Sequence, residues 1–219
     1  MARPIKNLTV DASSRPEKAT PHQITSSCSQ MERDTTPQPN QLVGEEKKPI
    51  PDITLRPLEL SDVEDLMKWK SDDRVMRFTT RQACTTKDEA LDCIESFIMP
   101  HPWFRAICIE DRPVGSLAFR PAPGDEKHRA WLGYSLAYDY WGRGITTAAV
   151  KKAVAAIFKE WPHLERVEAV ADVDNRRSQR VLEKAGFQRE AVLRKFVVIE
   201  DKVRDVVMYS FLSTDPLVE

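Results

Sequence analysis

A chain of 219 residues accommodates one domain of ordinary size together with a tail. Apolar residues make up 41%, enough for a core, and 33 basic against 34 acidic residues leave a net charge of −1, which argues against charge-driven binding to nucleic acid or to an anionic membrane. No apolar run reaches the length of a membrane-spanning helix, and the four cysteines (Cys28, Cys84, Cys93, Cys108) form no C-x-x-C pair, which suits a reducing compartment better than a disulfide framework or a metal site.

Residues 1–50 hold six of the 15 prolines and no Phe, Trp or Tyr, and are rich in Ser, Thr, Gln and Asn. Such a stretch buries too little apolar surface to offset chain entropy, so it is expected to be a disordered tail, with the folded domain spanning 51–215. An organellar transit peptide is the sharper alternative for the tail. Against it stand Asp11, Glu17, Glu32, Asp34, Glu45 and Glu46, too many acids for that pattern. The expected location is the cytoplasm or the nucleus.

The folded part opens with a strand-like alternation at Ile53–Arg56 before Pro57. Ser61-Asp62-Val63-Glu64 reads as a capping box that starts a helix through Val63, Leu66 and Met67. Thr86-Lys87-Asp88-Glu89 is a second box, with Leu91, Ile94 and Ile98 on one helical face. A strand at Phe104–Glu110, a turn at Asp111-Arg112-Pro113 and a strand at Val114–Phe119 form a hairpin. Ala130, Leu132, Tyr134, Leu136 and Tyr138 alternate onto one strand face. After a glycine-bearing turn, Val150, Ala153, Val154, Ile157, Phe158 and Trp161 make the best amphipathic stripe in the chain, ended by Pro162. A strand at Arg166–Asp172, a short helix from Arg176 to Ala185 stopped by Gly186, and strands at Phe187–Leu193 and Asp205–Leu212 complete the pattern. Mixed strands and helices indicate an α/β domain around one sheet.

The turn Trp141-Gly142-Arg143-Gly144-Ile145-Thr146-Thr147 places two of the seven glycines between a strand and the strongest helix. Glycine permits positive φ and close approach of backbone N–H groups, and a helix start carries unpaired donors and partial positive charge, so the turn can bind an anion. By itself G-x-G is equally a tight structural turn. No Gly-Lys-Ser/Thr ending follows for a nucleotide P-loop, and the strand arrives too late in the chain for a dinucleotide fingerprint.

A second segment adds meaning to the turn. Asp172-Val173-Asp174-Asn175-Arg176-Arg177-Ser178 continues to Val181-Leu182-Glu183-Lys184-Ala185-Gly186-Phe187. The two segments together resemble the GNAT superfamily of N-acetyltransferases, and Gly133-Tyr134, Tyr140-Trp141-Gly142-Arg143-Gly144 and Glu190-x-x-Leu193-Arg194 resemble its RimJ/RimL branch. The resemblance covers Ile53 to Leu212. It implies the GNAT fold, a central mixed, mostly antiparallel sheet flanked by helices. It also implies that Trp141, Gly142, Arg143, Gly144, Ile145, Thr146 and Thr147 hold the coenzyme A pyrophosphate, while Asn175 and Ser178 face the pantetheine arm. A backbone N–H at the end of the preceding strand, with Leu136 and Ala137 the nearest positions, would polarise the thioester carbonyl. Many members carry a tyrosine acid on the short helix; Leu182 stands there instead.

Acyl transfer to an amine needs a neutral nucleophile, a donor for the oxyanion and help for the leaving thiolate. Ser178 is the candidate at the leaving sulfur, although Asn175 and Ser178 also fit a plain helix N-cap and first turn. Glu190, on the strand after Gly186-Phe187, is the candidate base through a water, with an exposed strand charge as the bland reading and Asp205 a weaker candidate. Tyr134 and Tyr138 read as packing residues. The expected activity is transfer of an acetyl group from acetyl-CoA to a primary amine (a protein N-terminus or a small molecule) by direct attack in a ternary complex. A non-catalytic coenzyme A- or partner-binding module is the competing reading. No metal, nucleic-acid or membrane partner is expected, and the chain is expected to be a monomer or homodimer. Acceptor choice is expected to reside in Trp69–Cys84 and in an Arg194–Arg204 loop.

Overall fold

The computed structural model describes residues 50–217. The expectations for the tail at 1–49, with Cys28, lie outside the described residues. Among the described residues no helix is long and apolar enough to cross a membrane.

The elements run β1 (Thr54–Arg56), α1 (Val63–Lys70), α2 (Asp73–Met76), α3 (Lys87–Asp92), β2 (Phe104–Ile109), β3 (Arg112–Pro121), β4 (Arg129–Leu136), α4 (Ile145–Glu160), β5 (Arg166–Asp172), α5 (Arg176–Lys184), β6 (Gln188–Ile199) and β7 (Lys202–Leu212). The strands form one seven-stranded sheet in the order β1-β2-β3-β4-β5-β7-β6. Every neighbouring pair is antiparallel except β4 and β5, which are joined through α4 and run parallel.

Alternation sorts the side chains onto two faces. Ile107, Leu117, Phe119, Ala130, Leu132, Val167 and Ala169 pack with α4 and α5 in one core. Ala106 and Cys108 point the other way, into a second core with Val63, Leu66 and Trp69 of α1 and Ala90 of α3. Of the expected α4 stripe, Val150, Ala153, Val154 and Ile157 are buried, joined by Ile145 and Ala149, while Phe158 and Trp161 are half-buried against the same core, Trp161 as the residue that ends the helix. Full burial of each such large aliphatic side chain contributes about 2 kcal/mol.

Several local readings change. The first cap is not Ser61. Glu59 and Asp62 make the box, one short 3₁₀ turn earlier, and Asp62 is committed to a two-pronged pair with Arg56 (2.7 and 2.9 Å). Thr86 does cap α3, accepting from the Glu89 N–H at 3.2 Å, and α3 continues as a π-helical segment through Cys93–Ile98. The β2–β3 hairpin turns at Glu110-Asp111 (φ 50 and 61), a pair of left-handed residues matched to strand twist, so β3 starts earlier than Pro113 suggests. Arg194–Arg204 is not a loop. β6 and β7 continue to a turn at Glu200-Asp201 (φ 49 and 58), with irregular register between Leu193 and Val197.

The feature that positions the site is where β4 and β5 stop pairing. Their ladder holds only Arg129–Trp131 against Arg166–Glu168. Beyond it the two strands part, and the sheet opens between them.

Candidate active site

The glycine turn sits at the mouth of this opening. Gly142 and Gly144 have φ of 78° and 79°, the left-handed region that side-chain-bearing residues avoid. Gly144 is the N-cap of α4, and the first bond into the helix runs from the Ala148 N–H to the Gly144 carbonyl (3.0 Å). The N–H groups of Ile145, Thr146 and Thr147 precede that bond, so they stand at the positive end of a 16-residue helix with no turn above them to accept. This concave, donor-rich turn fits a phosphate. Trp141 is pinned beside it: its indole N–H donates to the Leu136 carbonyl at 2.8 Å, and the Arg177 guanidinium lies 5.1 Å over its ring. The Arg143 side chain instead points outward, 5.3 Å over Tyr140 and outside the cleft lining, so only its backbone belongs to the turn.

The strand edge separates Leu136 from Ala137. The Ala137 N–H is used by the neighbouring strand segment, donating to the Val114 carbonyl at 2.8 Å. Leu136 is the next position of the same antiparallel ladder, opposite Gly115, so its N–H and carbonyl point away from β3 and toward the opening. Leu136 lines the cleft and Ala137 does not. The expectation that either could present its N–H is thus corrected for Ala137.

Ser178 projects from the first turn of α5. Asn175 caps that helix, its side-chain oxygen accepting from the Ser178 N–H at 3.1 Å. The Ser178 hydroxyl lies 2.8 Å from the Tyr134 hydroxyl, which also reaches the Ser178 carbonyl at 3.2 Å. Burial pushes the Tyr134 phenol well above its usual range, outweighing the Ser178 hydrogen bond, so it keeps its proton. Sequence reasoning treated Tyr134 as packing. Its position on the alternating face was legible, but its meeting with Ser178 depends on the parting of β4 and β5. Leu182 is fully buried in the core.

Glu190 is not in this group. It accepts both Arg166 guanidinium hydrogen bonds (2.8 and 2.6 Å) and the Ser210 hydroxyl (2.6 Å). Those contacts, Arg166 foremost, hold its carboxyl down to about 2, the opposite of what a base needs. Arg166 opens β5 and Asp172 closes it, a separation of about 20 Å along a strand. The base role expected of Glu190 does not fit this placement. Asp205 is likewise occupied, accepting from the Lys195 N–H at 2.7 Å in the irregular part of β6.

The cleft that joins these groups has a volume of about 710 Å³ and runs through the sheet opening. The α4–α5 side contributes Gly142, Gly144, Thr146, Asn175, Ser178 and Val181; the α1–α3 side contributes Phe97, His101, Arg120, Trp131 and Asp172. Asp172 is only 5% exposed; its Oδ1 accepts from the Asp174 N–H, while Oδ2 has no hydrogen-bond partner.

A family model described as "Acetyltransferase (GNAT) domain" matches residues 52–188. The chain belongs to the GNAT acetyltransferase family. It is 30% identical to an uncharacterized N-acetyltransferase, p20, of Bacillus licheniformis, over 74% of this chain and 94% of that one. It is 27% identical to the ribosomal protein uS5-alanine N-acetyltransferase of Escherichia coli, over 48% of this chain and 54% of that enzyme. Its fold matches RimL, a ribosomal L7/L12 α-N-protein acetyltransferase in complex with coenzyme A, with a TM-score of 0.65 and 21% identity, covering 75% and 96% of the two chains. The sheet and helices expected from the resemblance are those of this family, the RimJ/RimL-like relatives included, and the protein is an N-acetyltransferase.

Proposed function

We propose that this acetyltransferase transfers the acetyl group of acetyl-CoA directly to a primary amine, a protein N-terminus or a small-molecule amine, with both substrates bound at once. The observation that carries the reading is the Tyr134–Ser178 hydroxyl pair, 2.8 Å apart and facing the same opening as the Leu136 N–H. In this reading the α4 N-terminus and the Gly142–Gly144 turn hold the pyrophosphate, and Leu136 donates to the thioester carbonyl oxygen as negative charge develops there. When Tyr134 gives its one proton to the Ser178 hydroxyl oxygen rather than to the Ser178 carbonyl that it also reaches, the Ser178 proton is free to turn toward the leaving sulfur. A thiol with an ordinary pKa of about 8.5 needs little more than such a hydrogen bond to depart.

With Glu190 held as an ion pair, no dedicated base is assigned. An α-amine titrates at about 8, so a useful fraction is neutral at physiological pH, its ammonium proton going to solvent before attack; as the C–N bond forms and the C–S bond breaks, the nitrogen releases a second proton to solvent and the departing thiolate takes up one, leaving amide and free thiol. Activity is therefore expected to rise with pH along the titration of the acceptor. Acceptors of lower amine pKa should shift the profile downward by the same amount; a profile indifferent to the acceptor would point to an enzyme base.

The test of the activity itself is thiol release from acetyl-CoA across a panel of amines and peptides. No release from any of them, with coenzyme A binding intact, would sink the reading.

A further inference from the structure

On the α1–α3 side of the cleft, three positively charged or ionisable groups are gathered with no acid paired to them among the described residues; the carboxylate that lines the same cleft, Asp172, lies four residues along β5 from the Arg120–Trp131–Glu168 row, beside Arg204. The Arg81 guanidinium lies 3.8 Å over the Phe97 ring. Phe97 meets His101 edge-on (5.6 Å), and His101 meets Phe104 (6.0 Å). Phe104 pairs with Ala118, and Arg120 lies two residues further along the same face of β3. All six residues named here line the cleft. Among the described residues neither Arg81 nor Arg120 has an ion-pair partner, whereas Arg74 at the same cleft is tied to Asp72. Desolvation and the Arg120 charge both lower the Arg81 pKa, and burial followed by the Arg81 charge lowers that of His101. Like charges gathered without a counter-ion mark a site whose anion arrives with the ligand.

The span defines the ligand further. Arg120 pairs with Trp131, and Leu136 lies five positions along β4. That is about 16 Å of strand, and an arginine side chain leaning along the strand would take up roughly 6 Å of it, which sets roughly 10 Å as the shortest separation between the reacting amine and a bound carboxylate. A free α-amino acid cannot bridge that gap. An extended peptide covers it in about three residues.

Resting on the cleft being the acceptor site, we propose that Arg81 and Arg120 select a peptide N-terminus carrying an acidic side chain about three residues in. Guanidinium forks suit a carboxylate, and Arg81 is already held flat against Phe97.

The test compares peptides of one sequence with Glu, Gln or Lys at the third and fourth residues, alongside free glutamate and aspartate. Affinity is measured by titrating each peptide into the full-length protein saturated with coenzyme A, and kcat/KM by thiol release. The Glu peptide should exceed the Gln peptide at least tenfold in both, with the free amino acids poor acceptors. The Arg81→Gln/Arg120→Gln variant should bring that ratio within twofold, through KM, while acetyl-CoA affinity stays within twofold of the parent. Arg120→Glu should favour the Lys peptide. Equal affinity for Glu and Gln peptides, a ratio unaffected by the double variant, or a preference for free amino acids would overturn the proposal. Turnover of neutral and acidic peptides alike would overturn it while leaving the acetyltransferase reading intact; acid-selective binding with no turnover of any acceptor would do the reverse.

Discussion

The two ends of β5 treat charge in opposite ways. At the Arg166 end, where β4 and β5 still pair, the carboxylates of Glu168 and Glu190 are matched. Glu168, 4% exposed, receives Arg129 at 3.1 Å and Arg166 at 2.8 Å, and Arg166 continues to Glu190 and Ser210. At the Asp172 end the strands have parted, and polar atoms are left over. Asp172 Oδ2 and Arg204 Nε are buried without hydrogen bonds, 4.0 Å from each other, and the Leu136 N–H faces the opening. Satisfied groups stabilise a closed sheet, whereas unsatisfied ones cost free energy that a ligand can recover. A single strand therefore serves as clasp at one end and as site wall at the other.

That division can be broken most severely at the open end. Gly144→Val puts a β-branched side chain at φ 79° and a Cβ 3.0 Å from Ile50 Cδ1. It should weaken coenzyme A binding at least 100-fold by calorimetry, about 3 kcal/mol, with retained affinity refuting the phosphate cradle. Glu168→Gln attacks the clasp instead. Leaving two arginines short of a buried partner should lower stability by about 3 kcal/mol in denaturant titrations while coenzyme A affinity in the folded protein is unchanged. Ser178→Ala should lower kcat tenfold or more, roughly 1.5 kcal/mol of barrier, with acetyl-CoA affinity within twofold. An unchanged kcat removes Ser178 from the reaction. Tyr134→Phe should lower kcat by less, since Ser178 keeps its own proton.

The smallest effect sharpens the comparison. The Glu190 carboxyl is held at about 2, so its stabilisation is complete above its unfolded value near 4.5 and is lost as pH falls from there through about 2. With 39% of that side chain exposed, solvent screening limits the effect to about 1 kcal/mol. Glu190→Gln should therefore flatten the acid limb of the stability curve and leave kcat alone. A hundredfold loss of kcat would mean that the clasp end takes part in chemistry after all.

The sequence conveyed what local periodicity and paired motifs can carry. The α4 stripe, the β5 strand, the Asn175 cap and the glycine turn stand where their spacing put them. What it missed depends on register and on contacts between distant elements. Glu190 looks like a strand residue near the site, but the irregular register between Arg189 and Ala191 leaves it with Arg166 and Ser210. Ala137 and Leu136 are neighbours in sequence, and only their pairing with Val114 and Gly115 shows which N–H is free to turn outward. Arg81, His101 and Arg120 come from three separate segments, so no spacing rule gathers them. The hairpin at Glu200-Asp201 was hidden because charged residues with positive φ read as loop.

The parting of β4 and β5 also governs traffic. One opening is reached from both faces of the sheet, with the glycine turn and α5 on one side and Arg120 and Trp131 on the other. If donor and acceptor bind as proposed, neither has to pass the other on entering or leaving. Initial-rate plots against the two substrates should therefore intersect rather than run parallel, and desulfo-coenzyme A should compete with the donor without competing with the acceptor.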